Sequence, residues 1–258
     1  MLRSTIMNAK PRTLAATALS LALLLSGCAG GSPEAQMPQD DTHKQAASAA
    51  PSPSASAKGD DSTMSTAEIG VTAGAVMAAK LGFDRSRKVT AEELKQLAIK
   101  PSDTLDGYVV LPGQCAGPLE DLNWSPAQLG TEVARTDFTT ESGTVTGSVE
   151  VARVEDRSVL EEHYKTVLRM RTDCKSVKLN GPNAMETVKF TDPGIDGVES
   201  QLYYSRTGDP QSPQDSLVLL DTAGDYVAMV SFISAGSLND KQFSTVAKQV
   251  MDAVTAQF

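Results

Sequence analysis

The sequence predicts an α+β domain, a mostly antiparallel sheet with flanking helices, preceded by a signal peptide and a disordered tether. Three observations carry this expectation. Residues 185–234 hold four successive strand patterns, the last two joined by the hairpin signal Thr222-Ala223-Gly224-Asp225. One helical stripe precedes them, from Ser158 to near Cys174, and another follows from about Asn239. Hairpin-joined strands are antiparallel neighbours, and helices with one apolar stripe need a sheet to cover.

The elements follow in chain order. Ser65-Thr66-Ala67-Glu68 has the form of a capping box, and Ile69, Ala73, Val76 and Lys80 follow at helical spacing. Gly70 and Gly74 weaken this helix, and Gly82 is a stop signal. Residues 64–89 therefore read as a helix and linker ahead of a single domain at 90–258. A second box, Thr90-Ala91-Glu92-Glu93, opens a short helix with Leu94, Leu97 and Ala98 on one face, ended by Pro101. Tyr108–Leu111 is a short apolar run. Thr144–Val154 alternates, with Val145, Gly147, Val149 and Val151 opposite Thr146, Ser148 and Glu150.

Ser158-Val159-Leu160-Glu161 has the form of a further box, followed by a stripe of Leu160, Tyr164, Val167, Leu168 and Arg171. Strands are expected over Met185–Thr191, Val198–Ser205, Ser216–Asp221 and Tyr226–Ser234. In the closing helix Phe243, Val246, Ala247, Val250, Met251, Val254 and Phe258 line one face.

The N-terminal region speaks to location. Arg3, Lys10 and Arg12 precede an apolar stretch from Leu14 to Leu25, too short to span a bilayer comfortably. Leu25-Ser26-Gly27-Cys28 resembles a bacterial lipobox. The resemblance implies that residues 1–27 are removed and that Cys28 carries the lipid, becoming the mature N-terminus. An ordinary secretory signal with a chance cysteine is the alternative.

Residues 28–63, rich in Ala, Ser and Pro, offer little to bury and read as a disordered tether reaching a few nanometres. His43 lies within it. The whole chain has a net charge of −9, and cleavage would remove three basic and no acidic side chains. This balance argues against nucleic acid as a partner. Such a surface is repelled by anionic head groups, so acyl chains, not charge, would hold it at the membrane.

Candidate sites are few. With Cys28 lipidated, Cys115 and Cys174 remain, and an exported location predicts a disulfide between them. Two free thiols or a redox pair are the alternatives, but Cys-x-x-Cys spacing is absent. His163 falls off the helical stripe and is expected in solvent. No Gly-x-Ser-x-Gly, Ser-x-x-Lys or His-Glu-x-x-His pattern accompanies it. Asp192, Asp196 and Glu199 flank Gly194 and Gly197, but their spacing is not that of an EF-hand, and a plain acidic turn is the simpler reading. No metal and no cofactor are implied. Trp124, in a loop-like segment, and Tyr203 are candidate ligand-binding residues. Trp124 reads equally as a plug of the domain edge, and only one of the adjacent Tyr203 and Tyr204 can face the core.

Leu94–Asp103, Gly107-Tyr108, Cys115-Ala116, the helix ending at Cys174 and the helix after Asp225–Val230 resemble actinobacterial lipoproteins of the PknH-type extracellular sensor domain family. The resemblance spans Thr90 to Phe258. It implies an antiparallel sheet with flanking helices and a cleft for an unidentified ligand. The chain departs from the kinase domain in having one cysteine pair where that domain has two, and it carries no kinase. The expectation is thus a non-enzymatic lipoprotein on the extracytoplasmic face of the cell membrane. Its domain binds a small molecule or acts as a sensor. The alternative is a non-catalytic interaction or structural accessory of an envelope complex. An envelope hydrolase using His163 ranks last.

Overall fold

The computed structural model describes residues 64–182, 184–208 and 214–258. Cys28, the signal peptide, the tether and His43 lie outside the described residues. The elements are α1 (Thr66–Lys80), β1 (Arg85–Lys88), α2 (Ala91–Leu97), β2 (Val109–Leu111), α3 (Ala116–Asp121), β3 (Thr131–Thr139), β4 (Val145–Arg153), α4 (Ser158–Thr172), β5 (Ser176–Asn180), β6 (Met185–Thr191), β7 (Ser200–Thr207), β8 (Gln214–Ala223), β9 (Tyr226–Ser234) and α5 (Lys241–Thr255). The strands form one sheet in the order β1-β3-β4-β9-β8-β7-β6-β5-β2. Every neighbouring pair is antiparallel. No helix of the described residues is long and apolar enough to cross a membrane.

β4 pairs with β9 without a break from Val145↔Ser234 to Arg153↔Tyr226. β8 and β9 form the expected hairpin, and Gly224 takes the positive φ of 57° that its tight turn requires. On one face Val149, Val151, Leu217, Leu219, Ala228, Val230 and Phe232 meet α1 and α5. Phe83, Phe138 and Phe232 cluster there with ring centroids 5.2 to 5.7 Å apart.

Helix α1 forms with its Ser65–Glu68 capping box in place, but its buried face is not the expected one. Ala67, Gly70, Val71, Gly74 and Ala78 turn inward, while Ile69 and Val76 are exposed. The glycines are the contact surface. A Cβ on Gly74 would stand 2.7 Å from a Val254 methyl and 2.9 Å from one of Val149, and a Cβ on Gly70 would stand 2.7 Å from the Phe258 ring. Small residues let the helix approach both α5 and the sheet. The folded unit therefore reaches back past Thr90, because α1 fills this core and β1 pairs with β3.

The opposite face carries α4. Its expected N-terminal box does not form; Asp156 Oδ1 instead accepts a hydrogen bond from the Ser158 N–H at 2.9 Å. The buried stripe is Leu160, His163, Val167 and Met170, and Leu168 is exposed. Positions 160, 163, 167 and 170 share a helical face, and just beyond the helix end Cys174 is bridged to Cys115 in the segment following β2. Around the bridge pack Val110, Val177, Leu179, Val188, Phe190 and Leu202.

Two stability experiments follow. Gly74→Ala gains up to about 1 kcal/mol of helix propensity but overfills a seam between stiff valines, which costs about 1–3 kcal/mol. A net loss is expected in urea unfolding, whereas Gly117→Ala, with open space at its Cβ, is expected to be neutral or stabilising. Replacing both Cys115 and Cys174 by Ala releases a bridge closing a separation of 59 residues, with an expected loss of about 4 kcal/mol in the same measurement.

Candidate functional site

The two faces of the sheet differ in chemistry. Against α1 and α5 the central strands present almost entirely apolar side chains. On the other face, alternation brings Thr146, Ser148 and Glu150 of β4 beside Ser231 and Ile233 of β9, then Gln214 and Ser216 of β8, then Tyr204 and Arg206 of β7. The Ser148 and Ser231 hydroxyls are 2.8 Å apart, and Gln214 Nε2 donates to Ser216 Oγ at 3.1 Å. Burial pushes the Tyr204 hydroxyl pKa up, partly offset by its hydrogen bond to Ser216. The Arg206 guanidinium is paired with the Glu186 carboxylate, which raises the pKa of Arg206.

This polar strip starts buried at Ser148 and Ser216 and ends in a cleft of about 650 Å³ lined by Thr146, Gln214, Ile233 and the loops at 143–144 and 235–236. The strip supplies hydroxyls and an amide beside the apolar Ile233, and the charges present are neutralised in pairs. Such a surface can recognise a polar, uncharged ligand by directional hydrogen bonds.

One carboxylate lies fully buried behind the strip. Glu150 Oε1 accepts from the Ala127 N–H at 2.8 Å and from the Ser125 hydroxyl, while Arg135 Nη1 donates to Oε2 at 3.3 Å. The chain of opposite charges continues outward through Asp137 and Arg87 to Glu93. There the Thr90 backbone N–H, with Arg87, holds the Glu93 carboxyl down at about 2. The buried charge is thus both paired and hydrogen-bonded, the condition under which it can be tolerated.

Beside Glu150 lies a contact between two residues singled out from the sequence. The Trp124 ring stacks on His163, with centroids 4.3 Å apart and planes 20° from parallel. Trp124 packs on the core formed by Leu160, Val227 and Met229. His163 is buried rather than in solvent, a correction that follows from the rotated face of α4. Neither Trp124 Nε1 nor His163 Nδ1 has a hydrogen-bond partner among the described residues. Burial alone pushes the imidazole down to about 4.

Tyr203 points to the other face, into the α1–α5 core, and its hydroxyl donates to Asp215 Oδ2. Its neighbour Tyr204 is the tyrosine on the polar strip. The acidic turn does not converge on a point: Asp192 pairs with Arg171, and Glu199 accepts from Tyr164 and Thr222. Among the described residues there is no group of three His, Cys, Asp or Glu side chains placed for a metal ion. The alternation of β4 signals Ser148 and Glu150 in the sequence. Ser216, Ser231 and Arg206 carry no such local signal, because only strand pairing brings them together.

The buried His163 makes stability depend on pH. Its folded pKa of about 4 lies below the ordinary 6.5, so the unfolded chain binds the proton more tightly. The contribution is complete above about pH 6.5 and is lost as pH falls toward 4, by up to roughly 3 kcal/mol. His163→Phe keeps the stack and removes this term. Urea midpoints recorded across that range are expected to fall less steeply for the variant than for the parent chain.

No protein-family model matches the chain, and no curated protein matches it. Among solved structures it is similar to the extracellular domain of PknH from Mycobacterium tuberculosis, at 12% identity and a TM-score of 0.36, over 66% of this chain and 98% of that one. It is also similar to an uncharacterized protein of Mycobacterium smegmatis, the Rv0999 ortholog, at 15% identity and a TM-score of 0.43, over 74% of this chain and 100% of that one. The first is the domain type that residues 90–258 resemble.

Proposed function

We propose that this chain is a lipid-anchored envelope lipoprotein whose extracytoplasmic α+β domain binds a small polar molecule without transforming it, as a carrier or sensory module. The observation that supports the binding role is the polar strip on one face of the sheet, which leads from buried hydroxyls into the cleft at Thr146, Gln214 and Ile233. A purely structural sheet gains nothing from burying Ser148, Ser216 and Ser231 where Val and Ala fill the equivalent layer on the other face. The anchor rests on the lipobox-like Leu25-Ser26-Gly27-Cys28. Acyl chains on Cys28 hold the domain near the membrane, and the residues that follow supply reach.

Both parts are tested on the full chain in an actinobacterial host. Cells fed an alkyne fatty acid are expected to label the parent protein and not Cys28→Ala, which leaves the membrane fraction. Label on both variants, or on neither, removes the anchor. Native mass spectra of the detergent-solubilised protein are expected to show an adduct lost on denaturation and absent from Thr146→Trp. A bare mass for the parent protein rejects the small-molecule role.

A further inference from the structure

The two edges of the sheet are built differently. At one end β1 reads Arg85-Ser86-Arg87-Lys88, with Arg87 paired to Asp137 and Glu93 and Lys88 paired to Glu68. Charged side chains of this kind keep an edge from adding another strand. At the other end β2, three residues long and followed by Pro112, has among the described residues a neighbour, β5, on one side only, and its Val109 and Leu111 are 56% and 49% exposed.

The sheet face beside this open edge is also bare. Val109 sits in register with Asn180 and Met185, and Leu111 with Lys178 and Thr187. These side chains share the face that α1 and α5 cover further along the sheet, but here Met185, Lys178 and Lys189 are exposed. Lys178 and Lys189 make no ion pair among the described residues. On β2, β5, β6 and β7 this face carries no Asp or Glu, in a chain of net charge −9.

We propose that the β2 edge receives an extended acidic segment of a partner protein, added as a further strand beside Val109–Leu111. Its main chain pairs with the open edge. Its apolar side chains lie against Val109 and Leu111, and its carboxylates share the face that carries Lys178 and, further in, Lys189. A second copy of this chain joined edge to edge would set the same lysines near each other. An anionic lipid surface offers no backbone groups to the edge. The proposal is independent of the cleft, which opens on the opposite face.

The test uses the full chain in detergent and two labelled peptides, one repeating Glu-Thr-Val-Thr and the other Lys-Thr-Val-Thr, so that charged and apolar side chains fall together on one face of the added strand. Fluorescence anisotropy is expected to show binding of the Glu peptide and slowed hydrogen exchange at Val109–Leu111. The double variant Lys178→Glu/Lys189→Glu is expected to bind that peptide about tenfold more weakly and to prefer the Lys peptide. Both lysines are exposed, so an unchanged melting temperature is expected. Equal binding of the two peptides, or no change in the variant, overturns the proposal. So does docking on phosphatidylglycerol vesicles without peptide binding, or a dimer that buries Val109.

Discussion

A nine-stranded sheet has two faces, and the helices of this chain cover only part of each. Everything else follows from how that shortage is distributed. α1 and α5 lie on one face over the half that contains β3, β4, β8 and β9. α4 lies on the other, nearer β6 and β7. The offset leaves one uncovered area on each side. On the α4 side it is the cleft at the outer end of the polar strip, and on the α1–α5 side it is a bare wing ending at an open edge. Both candidate recognition surfaces are thus products of the same arrangement.

Covering the central strands from both sides also places polar groups where water does not reach. Glu150 is the clearest case. Its two oxygens are used by Ser125, Ala127 and Arg135, so three separate segments must be in register before the charge is satisfied. Such a group adds little net stability but penalises any slip of β4 against β3. The Trp124–His163 stack fastens the same loop onto α4 through contact area rather than polar pairing.

Elements whose local pattern agrees with their surroundings were legible in the sequence. β6 and β9 match their expected limits, and the Thr90–Glu93 box caps α2 as written. The failures share a cause: the decisive contact is distant in sequence. Gly70 and Gly74 look like weaknesses of α1 until Val254 and Phe258 are seen beside them. His163 looks exposed until Trp124 is seen stacked on it. β3 is not legible locally because Arg135 and Asp137 interrupt its apolar pattern, and those charges are answered by each other, by Glu150 of β4 and by Arg87 of β1. The polar strip was half legible for the same reason. Alternation along β4 is local, while its continuation through Ser231, Ser216 and Tyr204 exists only across the paired strands.

The glycine seam has a consequence in time as well as in space. α1 is the first described helix, and the surface it rests on includes Val254 of the last one and Phe258 just beyond it. A chain synthesised from its N-terminus exposes α1 long before that surface exists. An isolated helix bearing Gly70 and Gly74 is a weak one. The contacts that bury Gly70 and Gly74 therefore form only once Val254 and Phe258 have been synthesised.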